Sequence, residues 1–359
     1  MSPKLSNPLN VVVLRNEPAK TLDKIQDVDP SRISVENLWD SVLPELYYDW
    51  PKSLVDRFAR LHTSDNAFTS ETLNEKLANA HVLLAGYPYP KNLLRRMPRL
   101  IWAHWGFAGI SNLYESDFWG SDVTCTSSRG FSGALPIAES VIGAILMFTR
   151  QLHLAVLQTA SQEFDANSYK VALTAGKTVG IIGLGGIGKN VARLSKGLGM
   201  NVLATRLSAK KRTNKIPFVD MLYPAYEMNI MLESCDFVVI SAMWTEQTEK
   251  LLNKKAFTSM KKKPYLINVA RGELIDDQAF ISSLDSGRVS GAYLDVYRDE
   301  FKRPPNPNLI SHPRVFLSPH ISQRSDWNQQ ISLELFCSNL ERLLNGKKLV
   351  NVIDWKRGY

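Results

Sequence analysis

The sequence predicts an α/β protein built from two doubly wound parallel-sheet domains. Three observations carry this. Short apolar runs alternate with helical patterns along the whole chain, the runs fall into two series, and a glycine-rich turn sits between a strand and a helix in the second series. The first series is VVVLR (11–15), HVLLAG (81–86), LIWAHW (100–105) and VTCTSS (123–128). The second is TVGII (178–182), NVLAT (201–205), DFVVIS (236–241), YLINV (265–269), GAYLDV (291–296) and VFLSP (315–319). Runs that are nearly all apolar suit strands covered on both faces, and the intervals in the second series leave room for crossover helices.

Between the series, 134–158 reads as one long helix, with Ile137, Val141, Ile145 and Phe148 on its apolar face and Pro136 near its first turn, where proline is tolerated. A final helix over 331–346 is expected to stop at Gly346. Segment 298–313 is a proline-rich loop.

Composition narrows the function classes. With 359 residues, 44% hydrophobic and 22% charged, the chain is globular and long enough for two domains. Forty-three basic against 35 acidic residues give a net charge of +8. The charges are scattered, no nucleic-acid-binding motif accompanies them, and anionic small molecules explain the excess as well as a polymer would. No run of 18 apolar residues and no leader-like N-terminal segment appears, so neither a membrane nor a secretory route is expected. Cys125, Cys235 and Cys337 have no metal-ligand spacing; a reducing cytoplasm and no metal are expected.

The glycine turn is GLGGIG, with Gly183, Gly185 and Gly188 in G-x-G-x-x-G spacing directly after an apolar strand and opening a helix. In that setting Gly183 makes the tight turn, Gly185 admits a pyrophosphate to the backbone, and Gly188 packs helix on strand. The helix N-terminus then offers amides to the phosphates. The second strand of this βαβ unit ends ATRLSAKKR, with Arg206 where an NAD site carries an acid and no acid before Asp220. Arg206, Ser208, Lys210 and Lys211 could surround a 2′-phosphate, which favours NADP(H) over NAD(H); the other reading is a solvated charge run.

Three later segments place ionisable groups at strand ends: INVARGELID (267–276), GAYLDVYRDEF (291–301) and FLSPHIS (316–322). Together with the glycine turn and PIAES in the long helix, they resemble the D-2-hydroxyacid dehydrogenase family, from about Leu100 to the last residue. The resemblance implies a dinucleotide-binding Rossmann domain over 121–324, inserted in a flavodoxin-like substrate domain formed by 1–120 and 325–359. It implies Arg271 as the cation that binds and polarises the substrate, His320 as acid/base and Glu300 as its partner. A neighbouring carboxylate favours the protonated imidazole. It also implies that Asp295 meets the nicotinamide carboxamide, and that Gly186, Ile187, Ala242, Val269 and Ala270 line the cofactor. In HWGFAGISN (104–112), Ala108 and Gly109 match the loop whose amides hold the substrate carboxylate. Tyr87, Tyr89, Trp105 and Phe107 are either pocket or core.

Three residues depart from the family pattern: Phe301 where proline is usual, Ser111 where Asp is frequent, and Met243 where proline is common. The resulting expectation is a homodimeric, NADPH-dependent reductase of small 2-keto acids, of the glyoxylate/hydroxypyruvate type. A corepressor-like regulator on the same fold, or a dehydrogenase of formate or phosphite, stands as the alternative.

Overall fold

The computed structural model describes residues 7–59, 68–131, 133–300 and 302–356. The chain divides into two units, Met1–Ser132 with Asp326–Tyr359, and Gly133–Ser325.

In the first unit, β1 (Leu9–Leu14), β2 (Ile33–Asn37), β3 (Val82–Ala85), β4 (Trp102–Trp105) and β5 (Thr124–Ser127) form a parallel sheet in the order β2-β1-β3-β4-β5. Its central strands β3 and β4 are fully buried, and β1 is buried at all but Asn10, as their apolar runs require. The helix Asn328–Leu344 returns to this unit and covers one face, where Phe336 stacks on Trp102 at 5.0 Å and Leu333 and Leu340 pack beside it. Gly346 ends that helical stretch with φ +63°, a conformation glycine adopts without strain. Because β5 pairs with β4, the first unit runs past the expected boundary at residue 120 and as far as 132.

The second unit holds β6 (Thr178–Ile182), β7 (Asn201–Arg206), β8 (Met221–Pro224), β9 (Phe237–Ile240), β10 (Tyr265–Asn268), β11 (Gly291–Leu294) and β12 (Val315–Leu317). All are parallel, in the order β12-β11-β10-β9-β6-β7-β8. Alternation along each strand feeds two cores: Val238, Ile240 and Leu266 pack into one, and Phe237, Val239 and Ile267 into the other. The chain order reverses beside β6, and a doubly wound sheet binds ligands at such a switch point.

Two strands have no counterpart in the sequence reading. ISVEN (β2) and MLYP (β8) are edge strands, half-buried along much of their length; polar residues interrupt the first, and the second is only four residues long. The helix expected over 134–158 is also broken. Ala134–Arg150 buries Ile137, Val141, Ile145 and Phe148 as read, but Gln151 turns left-handed at φ 52° and Leu152–Ser161 departs at 69°. Among the described residues no single helix is long and apolar enough to cross a membrane.

Candidate active site

The glycine turn shows three different constraints. Gly183 has φ +98°, and a Cβ there would lie 2.7 Å from the Ala242 backbone. A Cβ on Gly188 would lie 2.4 Å from the carbonyl oxygen of Gly183. Both are glycines for internal reasons: the turn, and the approach of helix Gly186–Gly197 to the sheet. Gly185 is different, because a Cβ there would meet no atom within 4 Å. Packing does not require glycine at 185, whereas a dinucleotide pressed against this backbone would. The residues therefore fit such a group. Ser241 Oγ donates to Gly183 O at 2.8 Å, which holds Ala242 beside the turn; Gly186 is exposed and Ile187 half-buried next to it.

At the end of β7, Arg206, Ser208, Lys210 and Lys211 are all exposed. The acids nearby are engaged elsewhere. Asp220 takes the Val202 amide at 2.7 Å and Lys196 Nζ at 2.9 Å. These contacts hold its carboxyl below the usual range against the opposing effect of burial. Glu227 pairs with Arg212 at 2.6 Å, and that guanidinium lies over the Tyr223 ring at 4.9 Å.

The strand ends β10, β11 and β12 carry the remaining groups. Buried Asn268 closes β10; its Oδ1 accepts from Ala270 N at 3.0 Å and its Nδ2 donates to Arg271 O at 2.9 Å, which folds the turn that presents Arg271. Arg271 is half-buried, and Val269 and Ala270 are buried behind it. His320 follows β12 with φ +53°, an uncommon conformation for a residue with a Cβ. Its Nδ1 lies 2.7 Å from Glu300 Oε1, and both side chains are largely enclosed. A carboxylate only accepts, so Nδ1 carries the hydrogen of this contact.

Asp295 stands at the end of β11. It is 1% exposed, and its carboxylate accepts four hydrogen bonds: from Ser318 Oγ, from Ile321 N at 2.9 Å, from Ser322 N at 3.1 Å and from Ser322 Oγ. Its backbone oxygen accepts from His320 N at 3.0 Å. Asp295 fastens the turn that holds His320 in its left-handed backbone. The serines of LSPHIS are visible in the sequence, but only this geometry shows that both bind one carboxylate.

Ala108 and Gly109 lie in the first unit, half-buried after β4 and just before the short turn Ile110–Leu113. Of the four aromatic residues left open, Trp105 and Tyr89 are core, with ring centroids 4.5 Å apart. Tyr87 and Phe107 are half-buried and meet edge-on at 6.0 Å. Phe301 lies outside the described residues. Among the described residues, no cluster of three or more His, Cys, Asp or Glu could hold a metal ion.

The sequence model of the D-isomer specific 2-hydroxyacid dehydrogenase family, NAD binding domain, matches residues 142–322. D-3-phosphoglycerate dehydrogenase of Methanocaldococcus jannaschii is 26% identical over 296 residues, covering 80% of this chain and 54% of that protein. Glyoxylate reductase of Thermococcus kodakarensis is 35% identical over 172 residues, 48% of this chain and 50% of the relative. Both alignments thus span about half the length of the relative. A D-isomer specific 2-hydroxyacid dehydrogenase family protein from Aeromonas salmonicida has the same fold, with a TM-score of 0.78 at 25% identity over 97% of this chain and all of that one. The family model spans half of the sequence, and the chain belongs to the D-isomer specific 2-hydroxyacid dehydrogenase family.

Proposed function

We propose that this chain reduces small 2-keto acids of the glyoxylate/hydroxypyruvate type to D-2-hydroxy acids with NADPH. The observation that carries the reading is the His320–Glu300 pair at 2.7 Å, in the same unit as the glycine turn and Arg271. NADPH, when bound, supplies the hydride that converts the carbonyl carbon to an alcohol carbon. Arg271 offers a planar fork of donors to the substrate carboxylate and the carbonyl oxygen, favouring the negative charge that develops there. His320, with Nδ1 committed to Glu300, gives the proton on Nε2 to that oxygen, and Glu300 stabilises the imidazolium from which it leaves. One proton and one hydride are added in each turnover.

For the choice of cofactor, the absence of an acid at the end of β7 and the exposed Arg206, Ser208, Lys210 and Lys211 favour the 2′-phosphate. The relative named glyoxylate reductase supports the small substrate. We further propose a homodimer. Beyond the break at Gln151 the second unit exposes the apolar side chains of Val156 (70%), Phe164 (88%) and Leu173 (74%), which a second copy would cover.

The deciding experiment follows nicotinamide absorbance with glyoxylate and hydroxypyruvate, using NADPH and NADH in parallel. Substrate-dependent oxidation of NADPH, faster than that of NADH, is expected. A folded protein inert toward both acids with both cofactors would overturn the reading.

A further inference from the structure

Glu300 sits in an irregular loop, directly after Asp299, whose backbone is left-handed at φ +57°. Neither a helix nor a strand fixes the carboxylate, yet its side chain reaches His320 at 2.7 Å and is almost wholly enclosed. The restraint comes from two other segments of the same unit. Arg298 donates to Glu249 Oε1 at 2.8 Å and to the backbone oxygen of Glu273 at 3.2 Å. The amide of Asp299 donates to Glu273 Oε1 at 3.1 Å. Glu249 is itself fixed by Trp244 Nε1, which donates to its other oxygen at 2.7 Å. Beneath the loop, Gly272 lies so close that a Cβ there would fall 2.0 Å from the Arg298 nitrogen and the Tyr297 carbonyl carbon. The turn that presents Arg271 and the loop that presents Glu300 are therefore packed backbone to backbone, and the Arg298–Glu249 pair ties both to the segment after β9.

We infer that Arg298 and Glu249 are positioning residues for Glu300, forming a latch that keeps the Glu300–His320 pair assembled. The ion pair is partly enclosed, and the guanidinium is shared between a carboxylate and a backbone carbonyl, a geometry that lysine reproduces only in part. With the latch broken, the loop keeps the Asp299–Glu273 hydrogen bond and its packing on Gly272 but loses its tie to the segment after β9, and Glu300 moves relative to the imidazole. This inference rests on the proposed roles of His320 and Glu300 for its kinetic consequence, but not for its structural one.

The test uses the full-length protein and the variants Arg298→Met, Glu249→Gln and Arg298→Lys. Proton NMR of the histidine ring, with the signal assigned by its loss in His320→Gln, reports the Nδ1–H hydrogen bond to Glu300 whether or not a substrate is known. The signal is expected to vanish or broaden in Arg298→Met and Glu249→Gln and to survive in Arg298→Lys. In the reductase assay kcat should fall about 10-fold or more in the first two variants, with KM for the keto acid and Kd for NADPH changing less than about 3-fold. An unchanged ring signal in both Arg298→Met and Glu249→Gln overturns the latch. Wild-type protein that lacks reductase activity, yet loses the signal in these variants, overturns the proposed function and leaves the latch standing.

Discussion

His320 reaches Glu300 across 2.7 Å from a left-handed backbone, so the pair is held by the fold and not by local chain preference. Replacing His320 with Ala should abolish turnover, a loss on the order of 10²–10⁴-fold, while NADPH binding stays nearly intact. Glu300→Gln should retain more activity than His320→Ala, because the ring keeps a neutral partner. Steady-state kinetics and cofactor titration together check this; full turnover in His320→Ala would remove the histidine from the mechanism.

Asp295 separates two roles that a sequence cannot. As an anchor with four incoming hydrogen bonds, it should be costly to replace: Asp295→Asn sets an NH₂ group against existing donors and should lose about 2–4 kcal/mol of stability. Urea unfolding at neutral pH measures this. A variant of normal stability with weakened NADPH binding would point to a cofactor role instead.

Gly185 and Gly188 should respond in opposite ways to one methyl group. Gly188→Ala drives a carbon to 2.4 Å from a backbone oxygen and should cost about 1–3 kcal/mol, read as a lower melting temperature. Gly185→Ala meets no protein atom, so its melting temperature should hold while affinity for NADPH falls. A Gly185→Ala protein with native cofactor affinity would mean that nothing approaches this backbone.

Arg206 is exposed at the end of β7, and a charge-assisted contact to a 2′-phosphate is worth about 1.5–3 kcal/mol. Arg206→Ser should therefore raise KM for NADPH roughly 10- to 100-fold and leave KM for NADH almost unchanged. Parallel titration of the two cofactors decides the matter, and equal effects on both would contradict the phosphate site.

His104, fully buried on β4, has Thr126 Oγ1 2.8 Å from Nδ1 and Ser128 Oγ 3.2 Å from Nε2. Burial, then the charge of Arg15, pushes its pKa down to about 3. The unfolded chain takes up this proton near pH 6.5 and the folded chain does not, so stability falls as pH drops below about 6.5 and is flat for this group above it. At pH 5 the loss should be about 2 kcal/mol. The urea midpoint of the wild type should drop between pH 7.5 and 5, and His104→Gln should show a smaller drop.

What was legible in the sequence follows from short-range physics. Central strands must be apolar along their whole length, so VVVLR, TVGII and YLINV announced two parallel sheets. Gly183 and Gly188 are needed by a turn and a close helix approach that their own spacing encodes, and Arg271, Glu300 and His320 stand in motifs whose order is itself the signal. The tertiary structure decided the rest. The edge strands β2 and β8 form because a neighbour offers free backbone groups; ISVEN is too polar and MLYP too short to mark a strand by itself. The helix after residue 150 breaks at Gln151, a residue type with no helix-stopping chemistry of its own. Asp295 is fixed by Ser322, 27 positions away, and Arg298 by Glu249, 49 positions away. A carboxylate carries no mark of which donors will surround it; only folding brings those donors within hydrogen-bonding distance.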